Sequence, residues 1–155
     1  MHFAWNLCFC ALFGIKAGRV LGTGVTWFAV VVAGALGNLV NTLLLDSAHR
    51  SIGASTAVFA TLGLVAGFSW RARLFTQDRW AYRLGPIVGG LALLAYTGTG
   101  DENTDIGAHL AGFGCGFLGG ILLTTLYRFV PDRRVQQTTA AAALAIVIGA
   151  WVVAL

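Results

Sequence analysis

Charge is what this chain has least of. Only 10% of its 155 residues are Asp, Glu, Lys or Arg, against roughly 25% in a soluble domain. No carboxylate falls inside any of its long apolar runs. That argues against a proton-coupled carrier, which needs an ionisable group within the membrane. No His, Cys, Asp or Glu set has the spacing of a zinc site, which disfavours a metalloprotease, and no cofactor is implied. Cysteine is odd in number, at three. Cys8, Cys10 and Cys115 all lie in apolar runs, Cys8 and Cys10 on different helix faces, so they read as small packing residues and build no disulfide framework. There is no soluble domain, long linker or low-complexity tract.

What the chain does have is hydrophobicity, at 57% of its residues. Six apolar segments stand at about 2–15, 24–45, 52–70, 84–99, 106–127 and 137–155. The expected fold is all-α, a polytopic helical membrane bundle of about six transmembrane helices. The segments are too long for barrel strands and do not alternate as such strands must. The first and fourth are short for a bilayer that needs ~20 residues. They are expected to run a turn or two into their flanks, with Lys16, Arg19, Arg79 and Arg83 snorkelling to the interface.

The few charges carry topological information. If the segments alternate across the membrane, the turns at 16–23, 71–83 and 128–136 share one side and hold nine of the ten basic residues. The other side holds Arg50 with Asp46, Asp101, Glu102 and Asp105. The positive-inside rule places the basic side in the cytoplasm. The net charge of +4 therefore describes topology and does not argue for nucleic acid. This orientation puts the first residues outside with no signal sequence, and so predicts a further helix upstream of Met1.

Three isolated polar signals remain: His2 with Asn6, Ser55, and His109. Each lies within about five residues of the same, outer end of its own segment. Ser55 follows a polar stretch, Arg50 to Ala54, so it sits near a helix N-terminus, where unpaired N–H groups could form an oxyanion hole. A serine in a membrane helix also commonly bonds its own i−4 carbonyl. A neutral imidazole at His109 could take a proton from a serine hydroxyl and return it to a leaving amine. It could equally hydrogen-bond a neighbouring helix at the interface. His2 and Asn6 are four apart, hence on one face, and both offer donors suited to a developing oxyanion. His2 could otherwise be a frayed terminal residue and Asn6 an interhelix contact. Asn38 reads as structural glue, His49 as solvated, and Asp101, Glu102 and Asp105 as a wet loop.

Glycine supplies the packing signal. Gly112, Gly116 and Gly120 form a four-residue ladder on the fifth segment, and Ser55, Phe59, Gly63 and Gly67 share one face of the third. Small residues at this spacing let backbones approach closely. The third and fifth helices are therefore expected to pack on each other, with Ser55 against His109. The last segment reads as a peripheral helix without chemistry.

At this point the chain resembles the rhomboid family of intramembrane serine proteases, from residue 1 to about 128. His2-Phe-Ala-Trp-Asn6 resembles the His-x-x-x-Asn of the family's second helix, followed by Phe13-Gly14 and Gly22. Ala33-Gly-Ala-Leu-Gly-Asn38 resembles its Gly-rich third helix. Gly53-Ala-Ser55 resembles the nucleophile triplet, and Ala108-His109-Leu-Ala-Gly112-Phe-Gly-Cys-Gly116 matches the family's Ala-His-x-x-Gly-x-x-x-Gly completely. The resemblance implies Ser55 as nucleophile and His109 as general base in a dyad. It implies His2, Asn6 and the Ser55 N–H as oxyanion donors, with Gly53, Gly112 and Gly116 packing around them. It implies a transmembrane protein substrate, cut near the outer surface of a bilayer. The short loops and absence of a targeting sequence point to a bacterial inner membrane. On this reading 1–128 is the protease core, family helices two to six, and 129–155 adds a cytoplasmic turn and one extra helix. The departures are Thr56 where the family has Gly, which predicts a narrowed site, Gly18 where a Glu is common, and no counterpart of the first helix and its outer loop. A non-catalytic relative that binds membrane helices is the alternative. Oligomeric state has no sequence signal.

Overall fold

The computed structural model describes residues 2–44, 54–73, 79–98 and 105–155. These form six α-helices: α1 (His2–Leu21), α2 (Thr23–Leu44), α3 (Ser55–Arg73), α4 (Trp80–Gly98), α5 (Ile106–Thr125) and α6 (Arg133–Ala154). A 3-10 turn, Tyr127–Phe129, joins α5 to α6. No strand occurs among the described residues.

The short first segment reaches 20 residues by running through Lys16 and Arg19 to Leu21, about 30 Å of helix and enough to span a bilayer. The fourth gains its length backward, to Trp80. The sixth starts at Arg133, a turn ahead of its apolar run, because Asp132 caps it by accepting the Arg134 N–H at 2.7 Å. By length and composition α2, α5 and α6 are apolar enough to cross a membrane. Lys16 and Arg19 dilute α1, and Ser, Thr, Gly and Arg dilute α3. The outward surface is apolar, with Leu7, Leu12, Leu39, Leu43, Leu118 and Val152 all more than half exposed. In a water-soluble domain such surface would aggregate; in a bilayer it is solvated by lipid. The chain is an integral membrane protein.

At the centre stands α3, which packs on α1, α2, α4 and most extensively on α5. The reason is steric. Gly112, Gly116 and Gly120 of α5 lie against the backbone of Thr56, Ala60 and Leu64, and Gly63 and Gly67 of α3 lie against the backbone of Phe113 and Phe117. Glycines on both helices remove the Cβ atoms that would hold the backbones apart. Numbers rise together along both faces, so α3 and α5 run parallel and begin at the same end. Gly37 of α2 closes the junction: a Cβ there would lie 2.7 Å from the Gly112 Cα and 3.1 Å from the Thr56 Cγ2.

Helix α6 packs on α2 and buries only Ala143. Its first turn does more than its apolar length. The Gln136 Oε1 accepts the Val25 N–H at 3.1 Å, and Nε2 donates to the Leu21 carbonyl at 2.8 Å and the Val130 carbonyl at 2.7 Å. The Leu21 and Val25 groups are orphans at the end of α1 and the start of α2, and Val130 ends the 3-10 turn. Gly22, between them, has φ +74°. A side chain there would be strained and would collide with the Gln136 amide.

Candidate functional site

Ser55 opens α3 and is half-buried. The Ala54 carbonyl accepts the Val58 N–H at 3.2 Å, so the helix begins just before the serine, which stands in its first turn. One turn on, Phe59 is buried on the same face.

His109 lies in the first full turn of α5 and is only 5% exposed. Its ring packs on Phe59, with centroids 4.3 Å apart and planes tilted by 38°. Phe59 with His109, Gly63 with Phe113, and Gly67 with Phe117 are successive rungs of the α3–α5 contact. The same four-residue step carried one turn further brings Ser55 level with Asp105. Helical side chains lean toward their N-terminus, so the imidazole tilts toward the serine's rung. The expected packing of α3 on α5 is what the fold contains, and Ser55 and His109 each stand in the first turn of their helix.

Asp105 was expected in a wet loop and is instead half-buried at the helix N-cap. Its Oδ1 accepts the Ala108 N–H and its Oδ2 accepts from Asn41 Nδ2, both at 2.9 Å. The His109 N–H also donates to the Asp105 carbonyl, at 3.1 Å. The amide that ties helices together is thus Asn41, 5% exposed, and not Asn38, which is exposed. An Asp directly before an apolar helical run is a helix-start signal, so the cap was available to sequence reasoning. The Asn41 partnership was not, because 64 residues separate the two.

Thr56 was expected to narrow the site. Its side chain is 2% exposed and points into the α2–α3–α5 junction, its Cγ2 against Gly37 and Gly112. Its hydroxyl is buried without a hydrogen-bond partner. The bulk is absorbed by these two glycines, about 100° around α3 from Ser55.

His2 and Asn6 fall on the first turns of α1, but their side chains lie outside the described residues, as do Gly53, His49, Asp101 and Glu102 altogether. Gly112 and Gly116 stand in the contact below His109, as their spacing indicated. The cysteines are free, and Cys8 is exposed, so it is not a packing residue.

A serine at a helix start and a buried histidine in the first turn of the adjoining parallel helix stand toward one end of this polytopic helical membrane protein. The Rhomboid domain model matches residues 1–126, from the start of the chain to just past α5. The chain belongs to the rhomboid family, a family of intramembrane proteases. No curated protein and no solved structure matches it.

Proposed function

We propose that the protein is an intramembrane serine endopeptidase that cleaves transmembrane-helix substrates near the outer membrane surface. The observation that carries this is the parallel α3–α5 ladder, in which His109 packs on Phe59 one rung from Ser55. Ser55 Oγ attacks the scissile carbonyl as His109 takes its proton. The oxyanion is held by the Ser55 N–H and by His2 and Asn6 from α1. His109 then returns the proton to the leaving amine, giving an acyl-enzyme that water hydrolyses by the same route reversed. All four residues stand near the helix ends opposite the basic turns, where water can enter. With the basic side in the cytoplasm of a bacterial inner membrane, this is the outer side.

The bulk of Thr56 was a sequence feature in favour of a non-catalytic helix-binding role. Its side chain faces the α2–α5 junction, which favours the protease. The test is cleavage of a model single-span substrate in liposomes by the parent chain and by Ser55→Ala. Cleavage by the parent alone supports the proposal, and equal cleavage by both refutes it.

A further inference from the structure

At the opposite end of the bundle, the last turns of α1 and α3 stand apart around a cleft of about 340 Å³. That volume lies within the range of small-molecule sites. Its walls are mostly apolar, from Val20, Val65 and Phe68, and Lys16, Arg19 and Ser69 border it as well. Val65, Phe68 and Ser69 are one face of α3 at i, i+3 and i+4.

Among the described residues no carboxylate pairs with the two cations. Lys16 lies five residues before the end of α1, about 7.5 Å along the helix axis, where an unpaired charge is costly. Only two of the six acidic residues, Asp78 and Asp132, fall in the turns of the basic end. Asp132 is engaged at the start of α6, and Asp78 lies outside the described residues.

We propose that this cleft binds one anionic phospholipid, its phosphate between Lys16, Arg19 and the Ser69 hydroxyl and its acyl chain against Val20, Val65 and Phe68. Apolar walls bordered by two basic residues suit an amphiphile. A free anion would satisfy the cations and leave the apolar walls uncovered. Basic pockets between membrane helices are suited to acidic headgroups, to which each nearby cation contributes appreciably. The bound lipid would join α1 to α3 at the end remote from Ser55.

The experiment is native mass spectrometry of the full chain released from nanodiscs of equimolar phosphatidylglycerol and phosphatidylcholine. The parent chain is expected to retain one phosphatidylglycerol in preference to phosphatidylcholine. The K16Q/R19Q variant should lower that occupancy about tenfold or more. R133Q/R134Q removes the same charge from the same end of the bundle but away from the cleft, and should leave occupancy unchanged. Val65→Phe keeps both cations but fills the cleft, and should also release the lipid. Equal loss from the two charge variants would overturn the site in favour of diffuse surface charge. So would equal retention of both lipids by the parent, or unchanged binding in Val65→Phe. Displacement of the lipid by inorganic phosphate at millimolar concentration would mark an anion site rather than a lipid site, and would overturn the proposal too.

Discussion

Asn41 and Asp105 join α2 to the start of α5 through a hydrogen bond of 2.9 Å, and the same carboxylate caps the helix that presents His109. One side chain thus satisfies an orphan amide of α5 and fixes that helix end against its neighbour. A buried amide and a half-buried carboxylate at a membrane helix end are costly unless paired, and here each is the other's partner.

Asp105→Ala should cost about 1–2 kcal/mol through loss of the cap and open the first turn of α5. Hydrogen exchange of the Ala108 and His109 amides would report it. Asn41→Asp should do the same by placing two carboxylates together. The double variant N41D/D105N should restore protection, because Asn at 105 can still accept from Ala108 and can donate to Asp at 41. If the double variant exchanges as fast as Asn41→Asp alone, the bond between positions 41 and 105 is not what holds the turn.

The glycine contacts predict a sharp positional contrast. Gly116→Val meets the Ala60 backbone, which cannot move without separating α3 from α5, and should destabilise by about 3 kcal/mol or more. Gly114→Ala meets nothing within 4 Å and should stabilise by up to about 1 kcal/mol through helix propensity. Thermal or denaturant unfolding in detergent distinguishes them, and similar midpoints for both would contradict the close approach.

Gln136→Ala removes three hydrogen bonds to the α1–α2 turn and the end of the 3-10 segment. A loss of about 2–3 kcal/mol is expected. Protease sensitivity around Gly22 should rise with it. Gln136→Glu retains the acceptor to Val25 but not the two donors, and should fall between the parent and the alanine variant.

Phe59 is the platform on which the His109 ring rests. Phe59→Ala should reduce substrate cleavage about ten- to a hundredfold by misplacing the imidazole. Ser55→Ala and His109→Ala should each reduce it by at least about a thousandfold. Labelling of Ser55 by a fluorophosphonate should follow the same order. A Phe59→Ala enzyme with parental activity would mean that the ring contact does not position the histidine.

Thr56→Val replaces a buried hydroxyl that has no partner with a methyl of the same shape. It should leave cleavage unchanged and raise stability by about 1 kcal/mol. A fall in activity would show that the hydroxyl acts in the site.

Much of this arrangement was legible in the chain itself, for a local reason. Four-residue glycine spacing on two segments is a direct statement about two helix faces, and the pairing of α3 with α5 follows from it. Ser55 and His109 were conspicuous because ionisable and hydroxyl groups stand out against an apolar background. Cues that depend on a partner far along the chain were misread. Asp105 looked like one acid among three in a loop, and Asn38 and Asn41 looked equivalent until burial separated them. Gln136 fell in the cytoplasmic turn that ends before the last apolar segment, and Thr56 looked like an obstruction.

By itself the sequence determined that the chain is a membrane-embedded helical bundle, where its six helices lie, and that Ser55 and His109 stand near the starts of theirs. Apolar run length and the periodicity of small residues encode these within single helices. Only the tertiary structure decided which way each polar side chain points. That placed Thr56 against Gly37 and Gly112, drew Asp105 onto Asn41, set Gln136 into the α1–α2 turn, and opened a cleft between α1 and α3. Partners of this kind lie on different helices, and their meeting depends on the rotation and register with which the helices pack, quantities that no single segment contains.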